Sequence, residues 1–310
     1  MNIVLITQGL NPILDSLLNS EHQVIGIVES LFQNSNGKNK VLVKKQSIFF
    51  RLKKWLTNRV DTVSELAQKE NIPSFLLNHK NSSDLKLFLE QLKPDLMVVF
   101  SMSQLIKEEA FSIPKHGTIN LHPSLLPKYR GGNPFIWTAY NQDIEYGVTV
   151  HFVDKGADTG DIILSKKLII KKGEKFAYIY SQLIDNIGVK ALLEAMLMLE
   201  SSSVERIKQP KESPTDYARN VHDAWDLIEW EKWSVKDVWH FLRTAKPYIR
   251  VFNSPYWEIV SYEMDKARDS AVGSIDFNGR FGKITCNDGI VYCEEFLPVK
   301  EKLKKSLLKF

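Results

Sequence analysis

Short apolar runs alternate with amphipathic stretches along the first hundred residues. Ile3-Val4-Leu5-Ile6 is apolar at every position, as expected of a strand buried on both faces. Residues 24–28 and 96–100 repeat that pattern, and 73–77 gives a shorter version. Between these runs the period lengthens. Asn11 followed by Pro12 predicts a helix start, with a capping side chain and a proline at the first helical position. Residues 61–70 and 83–93 read as helices, the second stopped by Pro94. This β-α-β rhythm predicts a mostly parallel, Rossmann-like α/β sheet flanked by helices.

The texture changes from residue 117 to 172. A strand at 118–121 leads into a Pro- and Gly-rich loop, 122–132, and a helix follows at 133–141. Two strands, 147–153 and 161–170, flank a turn-rich stretch, and a long helix is expected over 174–199. Ser201-Ser202-Ser203 and Lys208-Gln209-Pro210-Lys211 read as a linker. The remainder has a helix near 234–244 and short strands; Asn287-Asp288-Gly289 between apolar runs is a hairpin signal. The expected domains are therefore 1–205 and a smaller one, 212–310. A length of 310 residues agrees with two domains at roughly 100–200 residues each.

Charge refines this picture. The net charge is +4, but eight basic residues and no acid lie between Lys38 and Arg59, and five lysines lie in residues 300–310. Without those stretches, 28 basic residues face 36 acidic ones, unlike the broad basic face of a nucleic-acid reader. Cys286 and Cys293 have no zinc or redox spacing, and the seven histidines show no H-x-x-x-H or H-E-x-x-H pattern, so no metal is expected. No apolar run approaches the roughly 20 residues of a membrane span, and residues 1–6 read as a strand rather than a signal peptide. A cytoplasmic protein is expected.

The first domain has no G-x-G-x-x-G and no phosphate-binding G-x-x-x-x-G-K-[ST], so it is no evident dinucleotide or nucleoside triphosphate site. Its informative region runs from Thr118 to Gly132. Asn120 and His122, two apart at a strand end, project from one face, at the carboxyl edge where open α/β sheets bind ligands. Taken alone, the pair also reads as a loop-capping Asn and a satisfied structural His. Its surroundings decide otherwise. Asn120-x-His122, then Ser124-Leu125-Leu126-Pro127, Gly131 and Asp158-Thr159-Gly160, resemble the signature of the folate-dependent formyltransferases. That family includes methionyl-tRNA, glycinamide ribonucleotide and nucleotide-sugar enzymes. Gly147-Val148-Thr149-Val150-His151 also looks like the family, and the resemblance covers most of residues 1–200.

The resemblance implies a formyltransferase fold followed by a smaller β-rich, OB-like domain, and 10-formyltetrahydrofolate as donor. It implies Asn120, His122 and Asp158 as the catalytic residues. An Asn amide can donate to the developing oxyanion, and a His near neutrality can move the amine proton. Asp158 would orient or charge-balance His122, or relay the proton through water; which of the two holds the proton stays open. The cofactor would lie against Phe100, Ser101, Met102, Leu105 and Ile106, and against Asp154, Lys155, Gly156 and Ala157, mainly through backbone groups, with Leu121 and Leu126 as a dry wall. Tyr129, Arg130, Asn133 and Trp137 are the candidate contacts to the acceptor substrate, with Arg130 facing a diphosphate.

Trp225-Asp226-Leu227-Ile228-Glu229-Trp230 resembles the opening of the C-terminal domain in the tRNA and sugar enzymes. Lys246-Pro247-Tyr248-Ile249-Arg250-Val251 departs from the Pro-Trp-Pro-Gly-Ala that usually follows. Residues 206–299 carry 13 basic and 15 acidic residues, poorly suited to gripping phosphates. The expected acceptor is therefore the amine of a nucleotide-linked 3-amino- or 4-amino-dideoxyhexose for surface-glycan synthesis, without nucleic acid or membrane as partner, in a possible homodimer. The alternatives are methionyl-tRNA formyltransferase, with the basic segment 38–59 in its favour, and a folate-binding protein without transfer activity.

Overall fold

The computed structural model describes residues 1–31, 60–78, 82–102, 104–246, 249–252, 256–268 and 270–296. The basic segment 38–59 and the tail 300–310 lie outside the described residues. The first elements are β1 (Asn2–Thr7), α1 (Pro12–Leu18), β2 (Gln23–Ser30), α2 (Val63–Lys69), β3 (Ser74–Leu77), α3 (Ser82–Leu92), β4 (Leu96–Phe100) and α4 (Glu108–Phe111). Then come β5 (Thr118–His122), α5 (Pro134–Tyr140), β6 (Glu145–Phe152) and β7 (Ile162–Ile169). The strands form a sheet ordered β3-β2-β1-β4-β5-β6-β7. Pairing is parallel from β3 through β5, and β6 runs antiparallel to β5.

Local chemistry accounts for these elements. Asn11 caps α1 by accepting from the Leu14 N–H at 3.1 Å, with Pro12 at the first helical position. The all-apolar strand β4 is buried along its length, and its Met97 and Val99 join Val4, Ile6 and Val28 in one core with Leu85 and Leu89 of α3. Gly26 of β2 admits α3: a Cβ there would lie 2.5 Å from Leu92 Cδ1. The chain leaves β1 toward β2 and β3, then returns to the other side at β4. That reversal lies at the carboxyl ends of the central strands, where open α/β sheets take their ligands.

The helix expected over 174–199 is composite: α6 (Phe176–Tyr180), a π-helical stretch Ser181–Gly188, then α7 (Val189–Glu200). Gly188 brings this segment against Leu121 of β5, whose Cδ2 would be 3.3 Å from an added Cβ. Residues 208–211 are not a loose linker. Ile207 bridges to Ile162, with mutual N–H···O contacts of 2.8 and 2.9 Å, so this stretch is held at the start of β7.

The chain divides into two compact units that interleave along the sequence: Met1–Gly132, Gly147–Lys167 and Gln182–Tyr217, against Asn133–Tyr146, Leu168–Ser181 and residues from 218 onward. The second unit has a 3-10 turn (Ala224–Leu227), α8 (Val235–Thr244) and an antiparallel sheet ordered β8-β11-β10-β9, made of β8 (Trp257–Met264), β9 (Ile275–Asn278), β10 (Phe281–Cys286) and β11 (Gly289–Glu295). Ser234 caps α8, and the β10–β11 hairpin turns at Asn287-Asp288 as expected. Phe241, Trp257, Ile259, Ile284 and Val291 form this unit's core with Ile136 and Ala139 of α5. Cys286 and Cys293 are buried free thiols; burial pushes both up to about 12, which leaves them unreactive.

Candidate active site

β5 ends at this carboxyl edge with alternating side chains. Asn120 and His122 share one face, while Leu121 turns to the other and packs toward Gly188. Leu121 thus takes part in the sheet–helix packing. Asp158 comes from the turn after β6, with φ of +55°, a left-handed conformation that Asp tolerates better than most residues.

Its carboxylate is the hub of the site. Oδ2 accepts the Gly131 N–H at 2.9 Å and lies 3.7 Å from His122 Nδ1. Oδ1 accepts from Asn120 Nδ2 at 3.3 Å and lies 3.5 Å from His151 Nε2. Burial alone would raise the Asp158 carboxyl, but the positive charge of a protonated His122, then His151 and the Gly131 N–H, hold it well below the usual carboxylate range. The His122 imidazole is pushed below its ordinary value by burial and by His151, against the pull of Asp158 and of the Tyr129 carbonyl.

In the neutral rings, the hydrogen-bond partners select the tautomers. His122 Nε2 is 3.0 Å from the Tyr129 carbonyl, so Nε2 carries the proton and Nδ1 presents a lone pair beside Asp158. His151 Nδ1–H donates to the Phe152 carbonyl at 2.8 Å, which leaves its Nε2 to accept from Asn120 Nδ2 at 3.1 Å. Asn120 therefore has both N–H groups engaged within the site. Its expected donation to an oxyanion requires exchange of the longer contact, the one to Asp158. The arrangement supplies a neutral base backed by a carboxylate, with an amide donor alongside.

The structure separates the remaining expected residues. Tyr129 (φ +57°) is buried, and its backbone N–H donates to Thr215 Oγ1 at 2.7 Å. Arg130 does not face an open phosphate site. It is 6% exposed, and its guanidinium is spent on Gln209 Oε1 and on the Pro210 and Lys211 carbonyls. Trp137 is a core residue of the second unit: its Nε1–H donates to the Arg219 carbonyl at 2.9 Å, and its ring meets Tyr140. Asn133 precedes α5 in that unit and is buried, with its backbone N–H on the Ala218 carbonyl.

Around the expected cofactor segments, Phe100 and Ile106 are buried, Met102 packs on the β4 core, and Leu105 is 67% exposed. The Ser101 hydroxyl donates to Gln8 Oε1 at 3.2 Å, which ties the ends of β1 and β4 together. Beyond this contact, Gln8 Nε2 and Gln104 Oε1 are buried without a partner among the described residues, a donor and an acceptor left for a ligand with a matching polar edge. Asp154 builds its own turn, accepting from Gly156 N–H and the Thr159 hydroxyl. Lys155 is exposed and paired with Glu108; Gly156 and Ala157 are half-buried. Leu126 is buried, its N–H on Thr149 Oγ1.

Sequence reasoning did not single out His151 for the site, nor Gln209 or Tyr217. His151 stood within a quoted stretch, one strand position opposite Asn120. The Tyr217 phenol is raised by burial and by the charge of Asp158. Among the described residues, Glu21, His22 and Glu200 have ligand atoms within 4.8 Å of one another, but the Met1 ammonium already pairs with Glu200 at 3.2 Å.

The family model described as "Formyl transferase" matches residues 9–196. The chain is 29% identical over 241 residues to a methionyl-tRNA formyltransferase of Alkaliphilus oremlandii (strain OhILAs), across 78% of this chain and 71% of that protein. Other relatives of the same name are matched over 58 and 59% of their length. Among solved structures, WlaRD, a sugar 3N-formyl transferase in the presence of dTDP and 5-N-formyl-THF, is similar at a TM-score of 0.59 and 18% identity, over 95% of this chain and 97% of that one. HypX from Aquifex aeolicus in complex with tetrahydrofolic acid gives 0.58 and 16%, over 98% of this chain and 47% of HypX. The chain thus spans about half of HypX, and at these identities it shares a fold with both.

Proposed function

Because the chain belongs to the formyl transferase family, we propose that it transfers the formyl group of 10-formyltetrahydrofolate to a primary amine. The observation that carries this reading is the hub at Asp158. A His122 lone pair stands 3.7 Å from a carboxylate that Gly131 N–H and Asn120 N–H hold ionised. The donor would supply an acyl carbon already activated by N10. Gln8 Nε2 and Gln104 Oε1, which have no partner among the described residues, would fit its polar pterin edge. His122 Nδ1 takes the proton released as the amine nitrogen bonds the formyl carbon, and Asp158 balances the imidazolium. Asn120 Nδ2 exchanges its contact with Asp158 for the developing oxyanion. When the bond to N10 breaks, the proton on His122 passes to N10, so no covalent enzyme intermediate is required.

Of the two acceptors expected from sequence, methionyl-tRNA has the better support. It is the substrate named by each curated relative above. A nucleotide-linked amino sugar is the second reading. It is favoured by the acidic balance of residues 206–299, 13 basic against 15 acidic, where tRNA binding calls for phosphate-neutralising Lys and Arg. A cytoplasmic homodimer serving surface-glycan synthesis goes with that second reading; among the described residues, no helix is long and apolar enough to cross a membrane.

The test incubates the protein with 10-formyltetrahydrofolate and either methionyl initiator tRNA or a panel of nucleotide-linked 3-amino and 4-amino sugars, with products read by mass spectrometry. Formylated tRNA, with affinity falling steeply as salt rises, supports the first reading, and a formylated sugar the second. Folate binding without product from either would replace transfer with binding alone.

A further inference from the structure

We infer that Gln209 is a positioning residue for the transfer site: its side-chain amide clasps the Asp158 turn to the loop that carries Gly131 and Tyr129. This rests on the transfer reading above. One face of the amide is spent on the turn. Gln209 Nε2 donates to the Asp158 carbonyl at 3.0 Å and to the Gly160 carbonyl at 2.7 Å. The other face is spent on the loop, since Gln209 Oε1 accepts from Arg130 Nε at 3.1 Å and Nη2 at 2.8 Å. Arg130 continues onto the Pro210 and Lys211 carbonyls at 2.8 and 3.2 Å. Among the described residues its partners are all neutral oxygens. A buried guanidinium met only by such dipoles is costly, and its position is strongly determined by them.

What the clasp holds is the chemistry. The residue after Arg130 is Gly131, whose N–H meets Asp158 Oδ2 at 2.9 Å. The residue before it is Tyr129, whose carbonyl orients His122. The same strap secures the loop twice more: Ser213 Oγ donates to the Pro127 carbonyl at 2.8 Å, and Thr215 Oγ1 accepts the Tyr129 N–H at 2.7 Å. The Ile207–Ile162 bridge anchors the strap to the sheet edge. The turn itself has no slack on its far side, because a Cβ on Gly160 would lie 1.8 Å from the Phe152 carbonyl oxygen. Gln209 touches none of the reacting groups. It fixes the distance between the carboxylate and the two loop groups that define its direction and that of His122.

The test is Gln209→Glu, which keeps the side chain's size and an oxygen for Arg130 but removes both N–H donors from the turn. With the acceptor that the wild-type protein formylates, kcat should fall about 10- to 100-fold, the scale of a small misplacement of a reacting group. KM for donor and acceptor should stay within about threefold, since ground-state binding is not what the clasp provides. The acid limb of kcat/KM is read in Gln209→Met, which removes the same donors without adding a charge beside His122; it should shift in the same direction as in Asp158→Asn, by less. Wild-type kcat in Gln209→Glu overturns the inference. So does a rate loss that tracks a lowered Tm with an unmoved acid limb, which would mark a merely structural residue. Wild-type protein that formylates nothing rejects the transfer reading instead. The His122 imidazole of Gln209→Met, followed by NMR titration, then tests the clasp alone: a shift in the direction of Asp158→Asn upholds it, and an unchanged titration overturns it.

Discussion

Asp158→Asn isolates the charge at the centre of the site while keeping its volume. The one carbonyl oxygen of Asn can still accept the Gly131 N–H now held at 2.9 Å, so the loop keeps its anchor, while its NH2 gives up the longer Asn120 contact of 3.3 Å. What disappears is the negative charge 3.7 Å from His122 Nδ1. At that distance and an effective dielectric near 20, the attraction to an imidazolium is about 4 kcal/mol. The carboxylate is 18% exposed, and solvent screening brings the usable part to about 2–4 kcal/mol. That attraction exists only once His122 has taken the proton, so it acts on the transition state. Its loss should lower kcat/KM by about 30- to 1000-fold. The pH dependence has a definite sign. Wild-type His122 lies below the ordinary histidine value because burial outweighs the pull of Asp158. It should therefore be a competent neutral base throughout the neutral range, with the rate falling only on the acid side. Removing the carboxylate lowers the imidazole further, so the acid limb moves to lower pH while the plateau drops. The assay is single-turnover formyl transfer from pH 5 to 9. A variant within about threefold of wild type, with its acid limb unmoved, would refute this reasoning.

Three further outcomes are expected. Asp158 is depressed in the folded state, so the stability it contributes is present above the unfolded carboxylate value near 4 and is lost as pH falls through the folded value; any Tm advantage of wild type over Asp158→Asn should shrink as the pH is taken below about 4, and an advantage that grows on acidification would contradict it. Gly160→Ala places a Cβ 1.8 Å from the Phe152 carbonyl oxygen, a backbone clash that should cost about 2–4 kcal/mol in urea unfolding, and unchanged stability would mean the turn can move freely. Ser234→Ala removes the cap that accepts the Asp237 N–H at 3.2 Å and should cost about 1 kcal/mol with formyl transfer intact; loss of transfer would tie α8 to the chemistry.

The parts legible in the sequence were those written in short-range code. Period-two and all-apolar runs gave β1, β2, β4 and β5, and Asn11-Pro12, Lys93-Pro94 and Asn287-Asp288-Gly289 marked ends and turns. Asn120 and His122 were legible because strand alternation places i and i+2 on one face. Asp158 became legible only through the family resemblance, since nothing local says that a residue 36 positions beyond His122 folds back to it. The misjudged positions follow the same logic. Arg130 looked like a phosphate ligand because an arginine beside two glycines in a loop is usually solvated; its partners, Gln209, Pro210 and Lys211, lie some 80 residues away, where composition spelled a linker. Trp137 had helical spacing from Asn133, which fits core and ligand face equally, and the contact that assigns it to the core comes from Arg219. In each case the missing information was a partner distant in sequence. The proposed catalytic groups and Gln209 thus follow different rules: the former are recognised by the chemistry their residue types suit, whereas Gln209, among the described residues, is held by two carbonyls and a guanidinium that the fold brings within 3.1 Å. Such a residue has no signature of its own, and it is found by asking where every hydrogen bond of a buried loop goes.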